Sequence, residues 1–287
     1  MTEIIAGLST GAVYAIVALG YNMTYLTAGV LNFAHANLIV VGMFVAYWGY
    51  DTGSVSIWLV FAMAFLLAGG LGVLEETLAI RPLRGSSGSA ELVTMVGVAT
   101  VITGGITVMF GTDAQRVPFF GPEGTIEVFG GRVQPIDLLI VLAAVVLAIG
   151  LHLLTRHTRV GLAALAQTDD REAAKLRGIN TKSLSLWGFT IAAAVGGLLG
   201  PLLVSKTMAT ASLALVLAVK GFVVLVLGGV GSHRGVLIAA FAIGLVEAFG
   251  ARYIGPTYRD LIVFVVFAAL LTAFPQGIWG ERKVRAV

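Results

Sequence analysis

Cysteine is absent from all 287 residues. That absence excludes a disulfide framework, a thiol nucleophile and a cysteine metal site. Charge is almost as scarce. Only 11% of residues are Asp, Glu, Lys or Arg, where a soluble chain carries about 25%. The net charge of +3 is small; it reports on loop placement and gives no reason to expect a nucleic acid. A complete phosphate-binding loop is also missing. "GGVGSHRG" (228–235) has the glycines but neither the G-K-[ST] ending nor a preceding strand. There is too little polar sequence for a nucleotide-hydrolysing domain, so any ATP hydrolysis belongs to a partner. The start, Met1-Thr2-Glu3, lacks the basic segment of a cleaved signal peptide. Residues 4–26 are therefore expected to remain as a membrane span.

What is present is apolar sequence. Hydrophobic residues make up 58% of the chain, its mean hydropathy is +0.96, and it carries 37 glycines. Nearly uncharged runs recur, each about the 20 residues that cross a bilayer. They fall at 4–26, 31–50, 56–77, 90–111, 136–155, 183–205, 212–231, 235–252 and 259–275. The class is all-α: a polytopic helical membrane protein of about eight or nine transmembrane helices, in one transmembrane domain over 1–287. The first two runs could include a broken or re-entrant piece, because Asn22, Thr24, Thr27, Gly29 and Asn32 cluster at their junction. Basic loops mark the cytoplasmic side: "RPLR" (81–84), "RHTR" (156–159), "SHR" (232–234) and the tail "ERKVR" (281–285). With nine spans this puts the N-terminus outside. The loop 112–135 then lies outside, and its Pro, Gly and mixed charge suggest an ordered structure. The 228–235 glycines suggest a tight cytoplasmic turn, with His233 and Arg234 facing the interior.

One stretch breaks the apolar pattern. "QTDDREAAKLRGINTK" (167–182) holds seven charged residues in sixteen, inside a cytoplasmic loop of about 156–182. Asp169 with Glu172 three residues on fits an N-cap followed by an acidic third position. Glu172 and Lys175 can pair, Gly178 can end the helix in the left-handed conformation, and Asn180 or Thr181 can cap the next helix. The spacing predicts a two-turn surface helix with a small face at Ala173 and Ala174. Two readings suit it: an ordinary solvated loop helix, or a docking element for another protein.

Other motifs have competing readings. "GLSTG" (7–11) fits the nucleophile elbow G-x-S-x-G, which would make Ser9 a protease nucleophile, but that motif needs a strand–turn–helix setting. In an apolar helix, Gly7 and Gly11 instead read as a packing face. Lys220 and Glu247 fall within adjacent spans, either as an intramembrane ion pair or along a solute path. Asn22, Asn32, His35 and Asn37 near the first break are pathway candidates, with interhelical hydrogen bonds as the alternative. His35 has no second ligand at helix spacing, so no metal site is expected. Gly200 and Pro201 in "GGLLGPLL" (196–203) predict a kink, as a hinge or a static bend.

"EAAKLRG" (172–178) resembles the start of the coupling loop of ABC importer permeases, E-A-A-x-x-x-G. Residues 7–47, 159–180 and 219–249 are similar to the opening, cytoplasmic loop and later spans of the branched-chain amino acid ABC permease family. The resemblance implies a multi-pass inner-membrane permease with no catalytic site. It implies a periplasmic solute-binding protein, two cytoplasmic ABC ATPase subunits that use ATP and Mg, and a second permease subunit, either a copy or a paralogue. No cofactor would be bound by this chain. Glu172, Ala173, Ala174 and Gly178, supported by Asp169, would form the ATPase-coupling element. The cargo would be a branched-chain amino acid or a related small polar solute. The rival reading is a stand-alone transporter or channel driven by an ion gradient. It would call for more intramembrane acids and an internal repeat.

Overall fold

The computed structural model describes residues 1–53, 55–83, 88–121, 124–128, 130–274 and 277–279. Among these residues the chain forms eleven α-helices: α1 (Thr2–Ala28), α2 (His35–Asp51), α3 (Ile57–Leu74), α4 (Gly88–Phe110), α5 (Pro135–His157), α6 (Arg159–Asp169), α7 (Arg171–Leu176), α8 (Thr181–Val204), α9 (Leu213–Gly228), α10 (His233–Tyr253) and α11 (Arg259–Ala273). Strands β1 (Ile126–Val128) and β2 (Gly131–Val133) pair antiparallel within the loop expected to be ordered. Part of that loop, Arg84 of the "RPLR" loop and the basic tail at 281–285 lie outside the described residues.

Local chemistry sets the helix starts. Ser56, Thr158, Asp170, Asn180 and Ser232 each precede a helix, and each accepts a backbone N–H of the first turn. These are the residue types whose side-chain oxygens satisfy donors that a helix start leaves free. All nine expected spans coincide with apolar helices, and seven of these are long and apolar enough to cross a membrane. The other two, α2 and α9, have 17 and 16 residues. That is about 25 Å of helix against a hydrocarbon core of about 30 Å. The third span is longer than expected. Instead of stopping near 77, α3 passes through a π turn at Glu75–Ile80 and a 3₁₀ turn at Arg81–Leu83.

The chain, read from its sequence as one domain, gathers into two compact units. The first holds residues 1–22, 124–152 and 220 onward. Here α1 lies against α10 through Gly7, Gly11 and Gly244. A Cβ on Gly244 would stand 2.2 Å from the Gly7 carbonyl oxygen and one on Gly11 2.4 Å from the Ala240 carbonyl oxygen. The G-x-x-x-G stripe is thus a packing face. Ser9 between the two glycines is fully buried, and its hydroxyl has no hydrogen-bond partner, so no base is placed to activate it.

The second unit holds residues 23–123 and 153–219. Its centre is α2, buried along most of its length. A Cβ on Gly42 would fall 2.1 Å from the Gly197 carbonyl oxygen, and one on Gly200 2.6 Å from the Ile39 carbonyl oxygen. The backbones of α2 and α8 therefore touch. Pro201 sits in the last turn of α8, which is α-helical from Thr181 to Val204. The far side of the unit is apolar and open. An apolar groove of about 900 Å³ runs between α2, α3 and α4, lined by Phe44, Trp48, Leu67, Ile102 and Phe110 among others.

Gly197→Val is expected to lower stability by about 1–3 kcal/mol or more through overpacking. Gly104→Ala on α4, where a Cβ meets nothing within 4 Å, is expected to stay within about 0.5 kcal/mol of the parent. Thermal unfolding of both variants in one detergent measures the difference.

Candidate functional site

The polar stretch around 170 folds as α6, a sharp corner, and α7. The cap is Asp170. Its Oδ1 accepts the N–H groups of Glu172 at 2.9 Å and Ala173 at 3.0 Å. Asp169, the expected cap, is instead the last residue of α6. The reason is backbone geometry: Asp170 has the extended conformation an N-cap requires, with φ −149° and ψ 107°. Lys175 Nζ lies 2.6 Å from Glu172 Oε1. At the other end Gly178 takes φ +82°, its N–H donates to Lys175 O at 2.9 Å, and the Ile179 N–H donates to Ala174 O at 3.1 Å. This double bond to the last carbonyls is the Schellman arrangement, which favours glycine at the left-handed position. Asn180 then caps α8, accepting the Ser183 N–H at 3.0 Å.

The two alanines of the motif do not share a face. Ala174 is buried against the protein, while Ala173 is exposed beside Glu172, Lys175 and Leu176. Leu176 is 90% exposed.

At the α1–α2 junction the chain leaves helical geometry between Gly29 and Ala34, with Gly29 at φ +78°. Asn32 pins this break. Its Nδ2 donates to Glu75 Oε2 at 2.6 Å and its Oδ1 accepts the Ala34 N–H at 3.0 Å. Glu75, in the π turn after α3, is buried, and its Oε1 has no partner. His35 opens α2 and is buried beside Gly196. Asn37 Nδ2 reaches Ala99 O at 2.9 Å and Thr103 Oγ1 at 2.6 Å on α4. Asn22 belongs to the first unit, where it holds the α9–α10 turn: its Oδ1 accepts the Gly231 N–H at 2.7 Å and its Nδ2 lies 2.9 Å from His233 Nδ1. His233, expected to face the interior water, is buried, because this turn folds back onto α1. The four polar candidates thus all sit at helix contacts.

The intramembrane charges form a network larger than a pair. Lys220 Nζ lies 3.0 Å from Glu247 Oε1, 2.8 Å from Asp260 Oδ1 and 3.1 Å from the Tyr14 hydroxyl. Tyr14 donates to Glu247 Oε2 at 2.8 Å, and Arg259 Nε stands 3.4 Å from Glu247 Oε1. All three ammonium donors of Lys220 are used, and the formal charges balance, which is what makes the burial of Lys220 and Glu247 tolerable. Sequence reading missed Tyr14, Arg259, Asp260 and Glu75. The pair of buried Glu76 with exposed Arg81, at 2.9 Å, escaped it too. Acid and base five residues apart, inside a run long enough to span, could have signalled that pair.

Seven helices long and apolar enough to cross a membrane, with a capped charged helix on one loop, are the features of a multi-pass helical membrane protein. The chain belongs to the family described as "Branched-chain amino acid transport system / permease component", whose model matches residues 3–271. It is 27% identical to the high-affinity branched-chain amino acid transport system permease protein BraD of Pseudomonas aeruginosa, over the whole chain and 98% of that protein. It is 28% identical to the permease protein LivH of Escherichia coli K12, over the whole chain and 97% of that protein. A relative in Methanocaldococcus jannaschii, a probable branched-chain amino acid transport permease protein LivH, is 24% identical over 92% of the chain and 88% of its own length. In fold the chain is similar to PsaBC from Streptococcus pneumoniae in complex with Fab, with a TM-score of 0.52 over 97% of this chain and 94% of that one at 11% identity. The chain is thus a multi-pass permease of the inner membrane, and the gradient-driven alternative is not favoured.

Two substitutions separate the capping assignments. Asp170→Ala is expected to cost about 1 kcal/mol of local helix stability and Asp169→Ala much less, read by amide hydrogen exchange across 171–178. In the charge network, Lys220→Met is expected to destabilise by about 2–3 kcal/mol because it leaves Glu247 with only the Tyr14 hydroxyl and the longer Arg259 contact. Lys220→Met combined with Glu247→Leu is expected to recover much of that loss in thermal unfolding.

Proposed function

We propose that this chain passes branched-chain amino acids or a related small polar solute across the membrane as the permease of an ATP-driven importer. A solute-binding protein outside delivers the cargo, a second permease subunit completes the path, and two cytoplasmic ABC ATPase subunits supply the work with ATP and Mg. This chain itself performs no catalysis in the proposed cycle. The observation that carries the coupling assignment is α7: a helix capped at both ends, with Glu172, Ala173, Lys175 and Leu176 exposed. We assign Asn22, Asn32 and Asn37 to helix packing in this conformation. The groove between α2, α3 and α4 offers only apolar side chains and glycine; an amino acid's ammonium and carboxylate would be stranded there.

The test is a gentle detergent pull-down of the tagged protein from native membranes, with mass spectrometry of what accompanies it. ABC ATPases are expected at about one per permease subunit. Glu172→Pro would be a weak probe, because Glu172 is in the first helical turn, where proline is tolerated. Ala174→Pro removes the Ala174 N–H bond to Asp170 O, 3.0 Å in the structure. It is expected to lose the ATPases and the uptake of radiolabelled L-leucine while membrane levels hold. Full uptake at matched levels would contradict the assignment. A permease purified alone, taking up solute without ATP, would overturn the importer reading.

A further inference from the structure

Gln167 and Thr168 close α6 just before the Asp170 corner, and both reach away from it to the end of α1. Gln167 Nε2 donates to Thr27 O at 2.5 Å, and Thr168 Oγ1 donates to Leu26 O at 2.8 Å. The Thr168 hydroxyl also lies 2.9 Å from Ala164 O of its own helix. One hydroxyl hydrogen is shared between the two carbonyls.

These carbonyls need partners. The last four C=O groups of a helix have no N–H one turn ahead, and away from water such a group is expensive to leave bare. The Gly29 N–H takes Tyr25 O at 2.7 Å. The next two carbonyls are capped by side chains some 140 residues away. Gln167 is buried, and its Oε1 has no partner, so the buried amide is held through its donor end. On the other side, Gly188 of α8 gives Thr27 room: a Cβ there would stand 1.8 Å from the Thr27 hydroxyl oxygen. Directly beyond this clamp comes the 29–34 break, pinned to the π turn by Asn32 and Glu75.

We propose that Gln167 and Thr168 are positioning residues of transport: they carry displacement of α7 through α6 to the end of α1, and so to the α1–α2 break. The inference rests on the importer reading above. α6 and α7 share one corner residue, so a pull on α7 acts on the last turn of α6. That turn is tied to α1 by these two side-chain hydrogen bonds, and they end on the backbone of the last turn of α1, just before the break. Removing them uncouples ATP hydrolysis from solute movement without touching α7 or the ATPases.

The experiment uses the full assembly purified from native membranes and reconstituted in liposomes, with L-leucine as probe. It reads leucine moved per ATP hydrolysed, normalised to assembled complexes. Thr168→Val keeps the shape and removes the hydroxyl, and Gln167→Met does the same for the amide. Each is expected to lower the ratio about tenfold, the scale of one lost hydrogen bond, with ATP hydrolysis unchanged. Thr168→Ser, which retains the hydroxyl, is expected to keep the parent ratio. A parent ratio in both Thr168→Val and Gln167→Met overturns the inference and leaves the importer reading standing. Failure of both variants to assemble also overturns it, because the bonds would then be structural only. ATP-independent uptake by the parent removes the importer reading and this inference together.

Discussion

The second unit depends on the backbone contact between α2 and α8. Lipid is as apolar as a helix surface, so burial of leucines gives little reason for helices to associate in a membrane; close packing must supply it. Gly42, Gly197 and Gly200 remove the side chains that would hold the two helices apart. Once they touch, α2 becomes a central helix with almost no face left for lipid. Gly69 and Gly72 bring α3 against Ala194 and Ala193 of α8 in the same way.

A short helix held centrally forces its flanking chain to turn within the protein, and every turn there exposes backbone groups that water cannot reach. The structure answers with side chains chosen one by one. Asn32 serves the start of α2, Gln167 and Thr168 serve the end of α1, and in the first unit Asn22 serves the α9–α10 turn. The same economy governs charge. Lys220 spends all its donors on Glu247, Asp260 and Tyr14, and Glu76 is paired with Arg81. Several buried side-chain polar atoms have no hydrogen-bond partner among the described residues, Ser9 Oγ and Ser185 Oγ included, and two of them, Glu75 Oε1 and Gln167 Oε1, lie beside the α1–α2 break.

This arrangement suits a permease. The backbones of α2, α3 and α8 are packed closely at their glycines, with little room to slide past one another. The segment at 29–34 is held by the hydrogen bonds of Asn32 and by the packing of Val30 and Phe33 with Ile80, Met95 and Phe189. The surface helix α7 is tied through α6 to the end of α1, next to that segment.

Much of this was legible in the sequence. The apolar runs announced the helices, because hydrocarbon allows a single chain few other ways to satisfy its backbone. Gly178 and the 172–175 ion pair were legible because they depend on residues within one or two turns. Gly7 and Gly11 declared a packing face, though not its partner. What tertiary structure alone decided was each choice made by a distant element. Asp170 rather than Asp169 caps α7 because α6 runs one residue further and only then does the chain extend. Ala174 turns inward, so the motif's small face is half buried. His233 is buried because its turn folds onto α1, and α3 continues to Leu83 because a π turn absorbs Glu75 and Glu76. Gln167 and Thr168 look like two polar residues at the end of a loop helix until the end of α1 is placed beside them. Sequence determines which groups need a partner; only packing brings the particular partner within reach, since a hydrogen bond is made or lost over a fraction of an ångström.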